Sequence, residues 1–266
     1  MKNFLLFLFC FLLVQTAMAQ VPDTVYNYEW QTNAWQPQGR SIYTYNTSCK
    51  PTVVVTQAYT NNVWVNASQN LISYTPTGKT SQTIFQVWNT STNTWGDFAR
   101  YTYSYNASDL EDSILTEGFL GGQWQNVTLQ TNTFNADNTV NVSLMQLWFG
   151  NSWLNSSRTT YSYNADKTVH QAVTETWTFI NWKNQYRYTY TYDANKNVLT
   201  DLYEEFVSNA WKNSILITNT YSSNRLTNSL SQTWNAANSS WVNSSQSNYT
   251  YNGDNTVSEV ISQDWD

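Results

Sequence analysis

The stretch Trp148-Phe149-Gly150-Asn151-Ser152-Trp153-Leu154-Asn155-Ser156-Ser157-Arg158, running on through Tyr161-Ser162-Tyr163-Asn164-Ala165-Asp166-Lys167-Thr168-Val169, decides the fold. Two tryptophans five residues apart bracket Gly150-Asn151, a pair that tolerates the positive φ of a two-residue hairpin turn. That turn pairs Phe149 with Ser152 and sets Trp148 against Trp153. Ten residues beyond Trp153 stands Tyr163, followed by Asn-Ala-Asp. Asn and Asp side chains hydrogen-bond their own backbone and close a second turn there. The segment therefore reads as strand, hairpin turn, strand, loop.

The segment recurs along the chain, and recurrence at a fixed period marks a repeat protein. The turn tryptophan stands at Trp35, Trp64, Trp95, Trp124, Trp153, Trp182, Trp211 and Trp241, spaced by 29, 31, 29, 29, 29, 29 and 30 residues. Ten residues after each comes Tyr45, Tyr74, Tyr105, Phe134, Tyr163, Tyr192, Tyr221 or Tyr251. Before each comes Trp30, Tyr59, Trp88, Phe119, Trp148, Trp177, Phe206 or Trp234, five residues earlier in six units and seven in two. The five-residue spacings predict two-residue turns at Thr32-Asn33, Asn61-Asn62, Gly121-Gly122, Gly150-Asn151 and Ser208-Asn209. Phe179-Ile180 occupies the same place in the sixth unit and suits no favoured turn. The seven-residue spacings predict four-residue loops.

The predicted fold is all-β: tandem two-stranded antiparallel hairpins of about 29 residues forming one long coiled sheet, with a closed barrel or a propeller as alternatives. A propeller of paired hairpins would show alternation in every second unit, and the sequence shows none. Eight units fill residues 20–266, and Trp265 opens a ninth.

Strand side chains alternate, so even offsets share a face. Two residues before the first aromatic stands Gln57, Gln86, Glu117, Gln146, Glu175, Glu204, Gln232 or Gln263, and four before it an aliphatic residue such as Leu115, Leu144 or Val173. Two residues after the turn tryptophan stands Asn66, Asn126, Asn155, Asn184, Asn213 or Asn243. The hairpin register sets Gln146 against Asn155 and Glu175 against Asn184. By simple alternation all three aromatic tracks lie on one half-buried face. The opposite, wetted face then carries Thr56, Thr116, Thr174, Ser231 and Ser262, with Arg40, Arg100, Arg158 and Arg187.

Composition bounds the function. Lys2, the apolar run Phe4–Val14 and Ala17-Met18-Ala19 read as an export signal over residues 1–19, which predicts a secreted or cell-surface protein. The chain holds 12 basic and 18 acidic residues, net −6, so nucleic acid is not an expected partner. Charged residues are 11% against 17% aromatics; disordered chains are polar but lack aromatics, so order is expected. Cys49 is alone outside the leader, which predicts no internal disulfide. No further apolar run suggests a transmembrane insertion.

Tyr190-Thr-Tyr-Asp193-Ala-Asn-Lys-Asn and Arg100-Tyr-Thr-Tyr-Ser-Tyr-Asn106-Ala resemble the Tyr-Asp core of YD (Rhs-type) repeats, whose customary turn glycine stands here only at Gly253 and whose repeat is shorter. Trp153-Leu-Asn-Ser-Ser-Arg158 through Tyr161-Ser-Tyr163-Asn164 is closer to secreted Trp/Tyr-rich tandem repeat proteins of the Bacteroidota. The resemblance spans the chain from about Tyr26 onward and implies location and architecture.

Chemistry is sparse. The one histidine, His170, and Cys49 are far apart, so no metal site or cofactor is expected. Asp193-Ala-Asn195-Lys-Asn197 has alternating oxygen ligands as calcium loops do, yet its counterparts vary and predict an Asx-type turn. Glu117, Glu175 and Glu204 could supply the paired carboxylates of a glycosidase, but they sit on a track that Gln also occupies. No enzyme activity is expected. Rings beside amides suit a sugar, so Trp35, Trp64, Trp95, Trp124, Trp153, Trp182, Trp211 and Trp241 are the candidate ligand-binding residues. The partner would be an extracellular polysaccharide or cell-surface glycan. The expected role is adhesion or glycan contact, with a structural spacer as the alternative and a glycoside-active enzyme third.

Overall fold

The computed structural model describes residues 22–31 and 34–265, with Trp30 and Gln31 described in backbone only. The leader and the Thr32-Asn33 turn lie outside the described residues. The strands are β1 (Thr24–Gln31), β2 (Ala34–Tyr45), β3 (Pro51–Thr60), β4 (Val63–Tyr74), β5 (Thr80–Asn89), β6 (Thr94–Tyr105), β7 (Glu111–Leu120), β8 (Gln123–Phe134), β9 (Val140–Phe149), β10 (Ser152–Tyr163), β11 (Val169–Trp177), β12 (Trp182–Tyr192), β13 (Val198–Val207), β14 (Ala210–Ser222), β15 (Arg225–Asn235), β16 (Ser240–Tyr251) and β17 (Val257–Asp264). They belong to one antiparallel sheet. No register joins β17 back to β1 among the described residues, so the sheet is open, neither barrel nor propeller.

Contacts divide the described residues into two compact units: those up to 72 with 85–96, and residues 73–84 with 97–265. In the first, β1 pairs with β2, β2 with β3 and β3 with β4. In the second, consecutive pairing runs from β6 to β17.

The turns follow the sequence. Asn61-Asn62, Gly121-Gly122, Gly150-Asn151 and Ser208-Asn209 all have positive φ at both positions, the primed geometry that matches strand twist. The predicted pairs Gln146↔Asn155, Glu175↔Asn184 and Trp148↔Trp153 are register partners. In the four-residue turn of the eighth unit, Asn235 Oδ1 accepts the Ala237 amide at 3.0 Å, and Ser239 supplies the left-handed residue at φ 52°. Phe179-Ile180 forms a turn with Phe179 at φ 68°, tied across by the Thr178 amide donating to Asn181 O at 3.0 Å. A bulky side chain pays a steric penalty in that conformation.

One expectation fails, and a bulge is the reason. In every hairpin whose register is described, the residue three after the turn tryptophan is extra. In β10, Asn155 faces Gln146 and Ser157 faces Met145, leaving Ser156 unmatched. An inserted residue turns the remainder of its strand over. The arginines therefore share the tryptophan face: Arg100 is the register partner of Glu117 and Arg187 of Glu204. The late aromatics Tyr105, Tyr163 and Tyr192 fall on the other face. The wet face expected there is instead a half-buried tyrosine face, carrying Thr116 and Thr174 as foreseen together with Tyr161, Tyr186, Tyr188 and Tyr190.

Neither face is a deep core. Among the described residues the buried apolar side chains are Ala99 and Ala172, and no side chain is fully buried. Ala172 lies opposite Tyr161 on one side and Tyr188 on the other, a small residue between two rings.

Candidate functional site

The tryptophan face repeats one cluster. The Arg187 Nε donates to Glu204 Oε2 at 2.5 Å and its Nη2 donates to Oε1 at 2.9 Å. The same guanidinium lies over the Trp211 ring, 4.7 Å from its centroid. Trp211 in turn meets Phe206 edge-on at 4.9 Å. Arg100, Glu117, Trp124 and Phe119 repeat this arrangement, as do Arg158, Glu175, Trp182 and Trp177. In the first unit the acceptor is neutral: Arg40 donates to Gln57 at 2.6 Å, stacks on Trp64, and Gln57 passes a hydrogen bond to Asn66 at 2.7 Å. The Glu117 hydrogen bond holds the Arg100 pKa above its ordinary value.

These clusters account for the candidate tryptophans. Trp64, Trp124, Trp182 and Trp211 each have a ring face under an arginine and an aromatic neighbour against the ring. Trp95, Trp153 and Trp241 keep the edge-on partners Trp88, Trp148 and Trp234 at 4.9–5.0 Å. All seven are half-buried, whereas Trp35 is 65% exposed. Trp35 and Tyr28 line an apolar cleft of about 450 Å³. An aromatic pair adds about 0.5–1.5 kcal/mol beyond its buried area, and a stacked arginine about 0.5–1 kcal/mol.

The carboxylates of this track are each matched by an arginine, whereas its amides meet an arginine at Gln57 and uncharged residues at Gln146, Gln232 and Gln263. Glu117, Glu175 and Glu204 face Arg100, Arg158 and Arg187. Gln146 faces Leu129, Gln232 faces Leu216 and Gln263 faces Gln246. The sequence carried this signal: each Glu of the track follows an arginine by 17 residues. It was missed because alternation without a bulge put the two on opposite faces.

A second repeated arrangement lies at the other ends of the strands. In each Asn- or Asp-led loop the first side chain or the third folds back on the loop backbone. Asp193 Oδ1 accepts the Asn195 amide at 2.8 Å and the Asn197 amide at 2.9 Å. Asp166 Oδ1 accepts the Thr168 amide at 3.1 Å and hydroxyl at 2.7 Å. The Thr168 hydroxyl holds the Asp166 pKa below the usual carboxylate value, and Asn197 does the same for Asp193. These are Asx turns, with both aspartates committed to their own loops. Lysines tie neighbouring loops: Lys167 donates to Asp137 O at 3.0 Å and Lys196 to Asp166 O at 2.8 Å.

The late tyrosines bind these loops to the sheet. The hydroxyl of Tyr163 donates to Val140 O at 2.7 Å, Tyr192 to Val169 O at 2.9 Å and Tyr251 to Leu226 O at 2.8 Å. Phe134 lacks a hydroxyl, and Asn132 Nδ2 donates to Glu111 O at 3.1 Å in its unit. Between successive loops the tyrosine rings floor open grooves. One of about 520 Å³ lies between the loops led by Asn135 and Asn164, with Tyr161 and Tyr163 in its lining. The next, about 480 Å³, lies between the loops of Asn164 and Asp193, with Tyr190 and Tyr192. Exposed His170, the extra residue of a second bulge, borders it. Burial raises the Tyr190 pKa to about 12. Sequence reading gave the tyrosines to the wrong face and so missed these grooves.

No group of three or more His, Cys, Asp or Glu residues fit to hold a metal ion occurs among the described residues. Cys49 is free and exposed. No helix among them is long and apolar enough to cross a membrane.

No protein-family model matches this chain, and no curated protein matches it. Solved structures give weak likenesses. A protein of unknown function from Bacteroides fragilis NCTC 9343 is 12% identical with TM-score 0.39, over 46% of this chain and 91% of that one. A DUF3836 family protein from Bacteroides vulgatus ATCC 8482 is 16% identical with TM-score 0.31, over 41% of this chain and 99% of that one. The TcdB2-TccC3-Cdc42 structure is 12% identical with TM-score 0.37, over 91% of this chain and 15% of that one. At these scores the likenesses carry no functional argument.

Proposed function

We propose that this β-hairpin repeat protein is a non-catalytic, secreted or cell-surface spacer that holds another domain or binding partner away from the cell. One observation carries the reading: the groups that recur from unit to unit are spent on one another. Arginine, glutamate and tryptophan satisfy each other on one face. Tyrosine hydroxyls and loop lysines satisfy backbone carbonyls at the strand ends. Each carboxylate that could serve a glycosidase is held by an arginine. A module built this way repeats for the sake of length.

The test displays the chain on cells with an epitope appended after Asp266 and deletes whole 29-residue units in phase. Access of an antibody to the epitope should fall with each unit removed, while a small-molecule label stays constant. Unchanged antibody access would refute the spacer role. Adhesion through sugars remains a second reading, favoured by the exposed Tyr28–Trp35 cleft and the tyrosine-floored grooves.

A further inference from the structure

We propose that the consecutive grooves between the Asx loops form a binding track for a neutral, extended polysaccharide, each groove taking one disaccharide. This reading deepens the adhesion alternative and asks nothing of the spacer role.

The two grooves in residues 135–193 are contiguous, because Asn164 and Ala165 line both. The grooves lie two strands apart along the sheet. Two strand spacings are about 9.5 Å, the length of an extended disaccharide, so a regular polymer can present the same face to each groove in turn.

The lining has the chemistry of a sugar site. Tyr190 and Tyr192 stand two residues apart with ring centroids 6.5 Å from each other, half-buried with ring surface open to the groove. One ring of each groove is held in orientation by its hydroxyl: Tyr192 is pinned on Val169 O and Tyr163 on Val140 O. Fixed rings lose little freedom on binding. Asn164 and Asn135 stand at the rims beside the tyrosines, held in place by their Nδ2 groups donating to Thr168 and Thr139 of their own loops. The second loop residue is alanine at Ala136, Ala165 and Ala194, leaving the groove mouths unobstructed.

Charge selects a neutral polymer. Asp137 and Asp166 are held below the usual carboxylate pKa by Thr139 and Thr168, and Asp193 by Asn197. The nearby ammonium groups of Lys167 and Lys196 already lie at Asp137 and Asp166. The chain as a whole is net −6. An anionic polysaccharide meets repulsion along the track.

Affinity electrophoresis of the whole chain in gels cast with soluble hydroxyethylcellulose, dextran or alginate tests this. Hydroxyethylcellulose, an extended neutral polymer, should retard the protein; flexible dextran and anionic alginate should not. Soluble β-1,4-linked oligomers of two, four and six sugars should compete with potency rising roughly tenfold or more per added disaccharide, as linked weak sites do. Ala165→Trp blocks both grooves from an exposed loop position and should cut retardation several-fold with an unchanged circular dichroism spectrum; Trp35→Ala should leave it intact. No retardation by the neutral polymer, retardation indifferent to Ala165→Trp, or stronger retardation by alginate would each overturn the proposal. The spacer reading survives all three outcomes, since antibody access does not depend on the grooves.

Discussion

Replacing Arg187 by leucine tests the matched pairs on the tryptophan face. Glu204 is 6% exposed, and both of its oxygens accept from Arg187. Arg187→Leu leaves that carboxylate without its counter-charge and uncovers the Trp211 ring. Stranding one member of a buried ion pair costs about 3–5 kcal/mol; at this half-open sheet surface the low end, about 3 kcal/mol, applies. Glu204→Gln alone exchanges a charged acceptor for a neutral one, a difference of about 1 kcal/mol, and reproduces the Arg40–Gln57 pair found in the first unit. The double variant reproduces the Leu216–Gln232 pair found in the seventh. It should therefore be no worse than about 1 kcal/mol below the parent, although the two single effects add to about 4 kcal/mol. Urea unfolding, followed in parallel by circular dichroism and tryptophan fluorescence, measures all four proteins. Coincident transitions are required, because repeat arrays can unfold unit by unit. Additive losses, with the double variant as unstable as the sum of the singles, would refute the claim that Glu is tolerated here only because Arg faces it.

Three other outcomes follow from the geometry. Phe179→Gly should raise stability by about 1 kcal/mol, read as a higher Tm: the exposed ring holds φ 68°, a conformation that costs a side-chain-bearing residue about 1–2 kcal/mol. Phe134→Tyr should raise stability by up to about 1 kcal/mol, since the Val198 carbonyl already accepts from both Asn219 and Tyr221 in the equivalent place; an unchanged urea midpoint would show that the added hydroxyl finds no carbonyl. Burial raises the Asp201 carboxyl above its ordinary pKa, and its Oδ1 is buried without a hydrogen-bond partner. The fold therefore favours the protonated form, and that contribution is present below the ordinary carboxylate value and lost as pH rises through the raised one. Asp201→Asn should stabilise at neutral pH, with the gain vanishing in acid; a gain constant from pH 3 to pH 7 would exclude ionisation as its cause.

The hairpins were legible because their signals are local. Gly150-Asn151 and Asn61-Asn62 state their turn type in two residues, and the Trp148–Trp153 spacing states the register. The face assignment was not legible beyond the bulge. The extra residue is Gln38, Ala67, Val127, Ser156, Gln185, Ser214 or Ser244 in successive described hairpins, a set with no shared chemistry. Its position is fixed by the strands on either side, whose pairings at both ends must be met at once. Alternation counted through that residue put Arg187 opposite the face where Glu204 and Trp211 wait for it. It also merged the tyrosines with the tryptophans, which hid the loop grooves.

The same matching bears on what a repeat means here. Units built on one plan are often taken to be exchangeable, because each contacts only its neighbours. In this sheet the contact between neighbours is chemically specific at a residue 16 or 17 positions ahead. A unit ending in Leu129 or Leu216 meets a glutamine next; one ending in Arg100, Arg158 or Arg187 meets a glutamate. Transposing the sixth and seventh units would set Leu216 against Glu175 and strand that half-buried carboxylate, while the Arg187–Gln232 junction it creates would repeat the Arg40–Gln57 pair. With no fully buried side chain among the described residues, there is little core packing to absorb such a mismatch. The order of the units is thus part of the fold: plan and period make each hairpin, and the residue across each strand boundary decides which hairpin can follow.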